Sequence, residues 1–158
     1  MDIKQATLSD MASVCKLADQ VNYVHHKELP DVFINPDETE GSRAFWTNQL
    51  EANDSAFLVA KIASNVVGFI TAKITENTEV PFLIRRKVCR IGTIVVLDSH
   101  QNKGIGGKLM SAIEEWAADS GAKEVRLEVM AFNENARLFY YKCGYLTSSQ
   151  IMAKIIAE

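Results

Sequence analysis

An apolar strand that runs into a glycine-containing turn and then a helix is the feature that most constrains this fold. Residues 88–96 are rich in apolar, β-branched side chains, and residues 98–104 are polar and end on a glycine. From Lys103 to Ser120 apolar residues recur at helical spacing, and Gly121 follows where a helix should stop. Such a turn exposes backbone N–H groups at a helix start, where the macrodipole favours negative charge. The pattern predicts a site for a phosphorylated ligand.

The composition is that of one globular domain over residues 1–158. Hydrophobic residues make up 47% of the chain and charged residues 23%, which allows a sizeable core. A formal charge of -3 argues against nucleic acid as a partner, because phosphate-binding surfaces are usually basic. No apolar window is long enough to cross a membrane, and no signal-peptide core is visible. We therefore expect a cytoplasmic protein with no membrane partner.

Cysteine and histidine usage indicates no metal site. Cys15, Cys89 and Cys143 are odd in number and lack metal-ligand spacing, so we expect reduced thiols. The adjacent His25 and His26 are poorly placed to ligate one zinc ion. The sequence predicts no metal cofactor.

The order of predicted elements is β-α-α-β-β-β-α-β-α-β-β, an α/β (α+β) fold with a mixed sheet. The predicted strands cover residues 2–7, 56–62, 66–75, 88–96, 124–129, 145–148 and 150–156. A first helix follows a capping box at residues 7–10 and ends before a loop over residues 22–38, and Ser64-Asn65 supplies a turn. The other predicted helices cover residues 39–53, 103–120 and 135–142.

Two familiar phosphate-binding motifs do not fit the glycine-containing turn. A P-loop needs Ser or Thr after its Gly-Lys pair, but Gly107-Lys108 is followed by Leu109. A dinucleotide fingerprint needs the first strand of a repeated βαβ unit, which this order of elements does not supply.

The turn resembles another signature. Residues 101–106, Q-N-K-G-I-G, resemble the Q/R-x-x-G-x-G/A signature of the GCN5-related N-acetyltransferase (GNAT) family, which binds the pyrophosphate of acetyl-CoA. Residues 133–145 resemble its second signature, N-x-x-A-x-x-(F/L)-Y-x-K-x-G-F. The signatures arrive in the family's order, and the resemblance covers essentially the whole chain. It implies a GNAT-like acyl-CoA transferase fold with acetyl-CoA as co-substrate.

The resemblance also implies which residues bind the cofactor. It places the pyrophosphate on the backbone of Gln101, Asn102, Lys103, Gly104, Ile105, Gly106 and Gly107. It places the pantetheine arm along Ile94, Val95 and Val96, as an added strand, with Asn133, Ala136 and Tyr140 contributed by the second signature. A Cβ at Gly104 or Gly106 is expected to block the approach of phosphate oxygens to the backbone.

Catalytic roles follow from the same resemblance. Tyr140 holds the general-acid position, although helical periodicity alone favours a core aromatic there, and Tyr141 is the weaker candidate. The N–H of Val96 is the implied donor to the oxyanion. Several relatives carry a glutamate base on the fourth strand where this chain has Gly92. The base must then come from elsewhere. The candidates are water, an amine that arrives partly deprotonated, or a group such as Glu128, His25 or His26.

The acceptor site is implied between the first two predicted helices. Residues 25–33 resemble an H-x-x-x-x-P-D-x-F stretch of some small bacterial members, which makes His25, His26, Pro30 and Phe33 the candidate substrate residues. Separately, residues 85–90 hold a basic cluster. This cluster has two interpretations. It attracts an acidic acceptor or the CoA nucleotide, or it is simply a solvated loop.

These observations predict an N-acetyltransferase that moves an acetyl group from acetyl-CoA to a primary amine of a small molecule or peptide by direct attack in a ternary complex. The alternatives are a catalytically silent acyl-CoA-binding or regulatory module on the same fold, and a nucleotide-binding protein. The sequence also leaves open whether the protein forms a homodimer.

Overall fold

The computed structural model describes residues 1–157, which form two compact units, Met1–Glu128 and a second unit that begins at Val129. The strands are β1 (Asp2–Gln5), β2 (Ser55–Ile62), β3 (Asn65–Glu76), β4 (Lys87–Val96) and β5 (Glu124–Arg126). The helices are α1 (Met11–Glu28), α2 (Ser42–Glu51), α3 (Ile105–Asp119) and α4 (Glu134–Lys142). All five strands and α1 to α3 belong to the first unit.

The sheet is mixed, with the spatial order β1-β2-β3-β4-β5. Neighbours from β1 to β4 are antiparallel, whereas β4 and β5 are parallel. Parallel neighbours need a crossover connection, and α3 supplies it. The predicted mixed-sheet α/β fold is confirmed.

Helices cover both faces of the sheet. Side chains of α1 and α2 form a core with β2 and β3 in which Trp46 packs edge-on against Phe69 at 5.2 Å between ring centroids. On the other face α3 buries Leu109 and Ile113. A Cβ at Gly68 would lie 2.8 Å from the carbonyl oxygen of Val95 and 3.3 Å from Leu109, so glycine there permits close packing of α3 and β4.

The first helix begins as predicted and runs further than predicted. The predicted capping box at Thr7 is confirmed, since Thr7 N–H donates to Asp10 Oδ2 at 2.9 Å. The predicted loop over residues 22–38 is wrong for residues 22–28, which form the last turns of α1. The helix ends where Pro30 excludes the helical conformation from Leu29, which has φ −137° and ψ 66°.

The hairpin between β2 and β3 lies one residue earlier than predicted. Its central residues are Ala63 and Ser64, with φ of 46° and 71°, rather than Ser64 and Asn65. Positive φ at both positions is the geometry of a type I′ turn, whose twist matches that of the flanking strands.

The two closing strands predicted over residues 145–148 and 150–156 are wrong, and β5 ends at Arg126 rather than near residue 129. Residues 145–157 form no strand, and their large apolar side chains Leu146, Ile151, Met152, Ile155 and Ile156 are exposed. The apolar residues of this segment occur in adjacent pairs and do not alternate with polar ones, so no single sheet face is specified. No helix within residues 1–157 has the length and apolarity that a membrane span needs.

Candidate functional site

The open edge of β4 is the first part of the candidate site. The ladder between β4 and β5 ends at the pair Arg90 and Arg126, while β4 continues to Val96. Thr93 N–H donates to Thr71 Oγ1, and Leu97 N–H donates to the carbonyl of Val67, so both face β3. Backbone groups alternate along a strand, which turns the N–H groups of Ile94 and Val96 toward the edge that β5 leaves open.

Val95 differs from its two neighbours. Its carbonyl oxygen lies toward Gly68 of β3, and its side chain is buried in the core. Of the three residues that the sequence implies for the pantetheine arm, Ile94 and Val96 therefore have N–H groups on the open edge.

A bulge at Gly92 interrupts the pairing of β3 and β4. Thr71 pairs with Thr93, but the next residue, Ala72, pairs with Ile91. A Cβ at Gly92 would lie 3.0 Å from Thr71 Oγ1, which already accepts the N–H of Thr93. Glycine at position 92 thus has a packing reason, because a larger residue would crowd this hydroxyl.

A glutamine on α1 holds the end of β4, which sequence analysis missed. Gln20 Nε2 donates to the carbonyl of Val96 at 3.0 Å, and its Oε1 accepts the N–H of Asp98 at 3.1 Å. Gln101 Nε2 donates to the same carbonyl at 3.2 Å and to Asp98 Oδ1 at 2.8 Å. The carbonyl of Val96 is thereby engaged, and the side chain of Gln101 folds back onto the strand end.

We expect Gln20→Ala to lower the free energy of unfolding by about 1–2 kcal/mol, because two hydrogen bonds worth about 1 kcal/mol each are lost. If acetyl-CoA binds along this strand, as the sequence resemblance implies, the substitution should also raise the KM for acetyl-CoA several-fold, since the strand end is no longer fixed. Urea denaturation and steady-state kinetics measure the two effects. Gln49→Ala on α2 is the matched control, and equal values for the two variants would contradict this role of Gln20.

The turn before α3 has the backbone geometry expected of an anion site. Asn102 and Gly104 adopt φ of 58° and 79°, and Gly104 is the N-cap of α3. The first turn of this 15-residue helix carries no acidic side chain, so its N–H groups face no competing carboxylate. Nothing lies within 4 Å of a Cβ placed on Gly104, so at this position the positive φ is what favours glycine.

Side chains around this turn have other partners. Lys103 Nζ donates to the carbonyl of Ser99 at 2.8 Å, and Ile105 is buried in the core. The Lys103 ammonium is therefore already engaged, while the side chains of Asn102 and Lys108 are exposed.

In the second unit, the matched second signature contains both caps of α4. Asn133 is the N-cap, and its side chain accepts the N–H of Ala136 at 3.1 Å. Gly144 adopts φ 90° and donates to the carbonyl of Tyr141, while Tyr145 N–H donates to the carbonyl of Tyr140. These two bonds form a Schellman motif. The spacing of Asn133, Tyr140 and Gly144 thus has a structural explanation in addition to any catalytic one.

Tyr140 is half-buried and sits among aromatic rings. Its centroid lies 5.3 Å from that of Phe139 and 6.2 Å from that of Tyr145. Burial, with a smaller effect of Cys143, raises the pKa of the Tyr140 phenol to about 12. The phenol is therefore protonated at neutral pH. Tyr141 differs, because its hydroxyl lies 3.0 Å from Thr147 Oγ1.

Three of the four predicted acceptor residues, His25, His26 and Phe33, are brought together at the end of α1. His26 Nδ1 lies 2.7 Å from the carbonyl of Phe33, and the ring of His25 meets that of Phe33 edge-on at 4.8 Å. His25 Nδ1 lies 2.9 Å from the carbonyl of Val21, and Pro30 is exposed. These contacts give both histidines a role in fixing the turn after α1. Glu128 is exposed, and within residues 1–157 no His, Cys, Asp and Glu cluster could hold a metal ion.

The sequence matches a known family over most of its length. A model of the Acetyltransferase (GNAT) family matches residues 22–145. This chain belongs to the GNAT acetyltransferase family.

Similar proteins carry acetyltransferase names. An uncharacterized N-acetyltransferase, YhfO of Bacillus subtilis, is 27% identical over 92% of this chain and 89% of its own length. An N-alpha-acetyltransferase of Sulfurisphaera tokodaii is 27% identical over 90% of this chain and 78% of its own length.

Solved structures share the fold. A tetramutant of the BH1408 protein of Bacillus halodurans has a TM-score of 0.92 and 25% identity over 99% of this chain and all of its own. The aminoglycoside N-acetyltransferase AAC(6')-Iy in complex with CoA has a TM-score of 0.74 and 18% identity over 99% of both chains.

Proposed function

We propose that this chain transfers an acetyl group from acetyl-CoA to a primary amine, and that the amine attacks directly in a ternary complex. The observation that carries the proposal is the open edge of β4, with the N–H groups of Ile94 and Val96, followed by the acid-free N-terminus of α3. An edge of this kind accepts an extended amide-containing arm as an added strand, and the helix start accepts a diphosphate.

Each proposed group has a chemical task. Residues 101–107 would hold the pyrophosphate through backbone N–H groups, and Ile94 would pair with the pantetheine arm. The N–H of Val96 would donate to the thioester carbonyl oxygen, a contact worth about 3 kcal/mol in comparable acyl transfers. Tyr140 would donate its hydroxyl proton to the departing sulfur. Acetyl-CoA supplies the activated acyl group, and no metal is needed for these steps.

Direct attack is supported by the state of the buried cysteine. Cys89 is fully buried, and burial raises its pKa to about 11, so it remains a thiol and not a thiolate nucleophile. An acetyl-enzyme on this residue is therefore disfavoured.

A peptide α-amine is the acceptor that best matches the lack of a carboxylate at Gly92. Deprotonating an alkyl amine of pKa about 10.4 at pH 7 costs about 4.6 kcal/mol, whereas an α-amine of pKa about 7.7 costs about 1 kcal/mol. An α-amine thus needs little help from a side-chain base. The S. tokodaii relative is named an N-alpha-acetyltransferase, in keeping with this choice.

Thiol release from acetyl-CoA tests the proposal across peptides with free N-termini, peptides blocked at the N-terminus but bearing lysine, and an aminoglycoside. We expect turnover with the free N-termini to exceed turnover with the blocked peptides. Calorimetric binding of CoA with no turnover on any amine would instead support a silent acyl-CoA-binding module, and protection from heat by ATP but not by CoA would support a nucleotide-binding protein.

A further inference from the structure

A cavity of about 520 Å³ lies within the first unit, at the end of the sheet remote from the helix start of α3. Its floor is formed by the last residues of β3, the first of β4 and the end of β5. The loop over residues 77–86 forms its outer wall. The lining residues that matter here are Arg86, Arg90, Arg126, Phe82, Leu83 and Ile84.

The floor of the cavity belongs to a row of cations across three strands. Lys73 on β3 pairs with Arg90 on β4, and Arg90 pairs with Arg126 on β5, so all three side chains emerge on one face of the sheet. Like charges directly opposite each other across strands are destabilising. The stability of the sheet therefore does not explain a row of three cationic residues.

Carboxylates of the chain neutralise this row incompletely. Glu124 bonds both Arg126 and Arg86, and the hydrogen bond from Arg126 lowers the pKa of Glu124 and keeps it ionised. Throughout residues 1–157, neither Arg90 nor Lys73 has a carboxylate partner. The cavity floor thus carries excess positive charge that a ligand can neutralise.

The outer wall is apolar. Phe82, Leu83 and Ile84 are consecutive and are 86%, 54% and 81% exposed. A ligand that fits both walls combines an anionic group with an apolar portion. A polycationic acceptor would be repelled by the floor.

The distance from the cavity to the proposed cofactor arm sets the size of the ligand. Arg90 precedes Val96, whose N–H would hold the thioester oxygen, by six residues on the same strand, which is about 20 Å at a rise of about 3.3 Å per residue. A free amino acid is too short to span this length. An extended peptide spans it with about six residues.

We propose that this cavity is an acceptor subsite for an acidic peptide, in which Arg90 binds a carboxylate about six residues from the reacting N-terminal amine. Arg126 and Lys73 add to the positive field, and the apolar wall contacts the intervening side chains. The assignment rests on the proposed acetyl transfer along β4. Guanidinium–carboxylate pairing supplies the selectivity.

The test uses eight-residue peptides of one sequence that carry Glu, Gln or Lys at the seventh position. The wild-type kcat/KM should be about ten-fold higher for the Glu peptide than for the Gln peptide, and lowest for Lys. Arg90→Gln should reduce the Glu-to-Gln ratio below about three-fold, and Arg90→Glu should favour the Lys peptide. Arg43→Gln, at an exposed position of α2, is the matched control and should leave the Glu-to-Gln ratio of kcat/KM unchanged.

Folding and binding controls separate this inference from the proposed function. Arg90→Gln should raise the Tm by about 1–3 °C, because it removes repulsion across the strands. Anisotropy of labelled peptides measures binding without turnover, so preferential binding of the Glu peptide without catalysis would refute the acetyl transfer and leave the subsite standing. Three results would overturn the subsite. The first is an equal kcat/KM for the Glu and Gln peptides, and the second is a kcat/KM for free glutamate as high as that for the Glu peptide. The third is weakened CoA binding in Arg90→Gln.

Discussion

Tyr140→Phe is expected to lower kcat by at least ten-fold, and by up to about 10⁴-fold, while the Kd for CoA changes by less than two-fold. The substitution removes the hydroxyl proton and keeps the ring that packs beside Phe139 and Tyr145. Loss of a general acid typically costs 10²–10⁴ in rate. Steady-state kinetics and calorimetric titration of CoA give the two values.

Tyr141→Phe is the control, since it removes a hydroxyl one residue away that contacts Thr147. Equal kcat values for the two variants would indicate that Tyr140 only packs against its neighbours and is not the general acid. The pH profile adds a second check. Because burial raises the pKa of Tyr140 to about 12, its phenol stays protonated through pH 10, and ionisation of this group should not reduce kcat between pH 7 and 10.

The raised pKa also changes the energetics of the proton transfer. A thiolate whose conjugate acid has a pKa near 8.5 lies about 3.5 units below this phenol, which makes full transfer uphill by about 5 kcal/mol. The reference pKa values of a tyrosine and a thiol alone give about 2 kcal/mol. We therefore expect Tyr140 to act first as a hydrogen-bond donor to the sulfur, with transfer completed late.

Gly107→Asp should weaken CoA binding about 100-fold, or about 2.7 kcal/mol, and at the same time stabilise the free protein. Gly107 lies in the first turn of α3, and nothing occupies the 4 Å around an added Cβ, so the side chain fits. A carboxylate there repels a diphosphate but favours the positive end of the helix. Calorimetry with CoA and thermal unfolding of the free protein measure these opposite effects.

Gly107→Asn is the neutral control and should weaken CoA binding by less than ten-fold. The loss caused by aspartate should shrink as salt is added, because exposed charges are screened. Tight CoA binding by Gly107→Asp at low salt would refute a diphosphate site at this helix start. Gly104 is less suitable for this test, because at φ 79° a side chain strains the backbone itself.

Local patterns predicted the parts of the structure that depend on neighbouring residues. The strand, turn and helix around Gly104 follow from a run of β-branched residues, a glycine and a 3.6-residue period. Both caps of α4 lie within the matched signature for the same reason, since Asn133 and Gly144 satisfy backbone groups of their own helix.

Contacts between distant residues escaped prediction. Gln20 reaches the carbonyl of Val96 across 76 positions, and nothing around Gln20 in the sequence indicates that contact. The row of Lys73, Arg90 and Arg126 depends on the register of three strands and on the bulge at Gly92. The basic cluster at residues 85–90 was visible in the sequence, but the alignment of its Arg90 with Lys73 and Arg126 on one sheet face was not.

The open edge of β4 also bears on how such enzymes diverge. A main-chain amide is the same donor whatever side chain it carries, so the residues at 94 and 96 can be exchanged freely as long as the core tolerates them. Proteins that share about a quarter of their positions with this chain could therefore retain the backbone contacts proposed here for the acyl-CoA arm. Proline, which lacks the amide hydrogen, is the residue that selection should exclude from both positions.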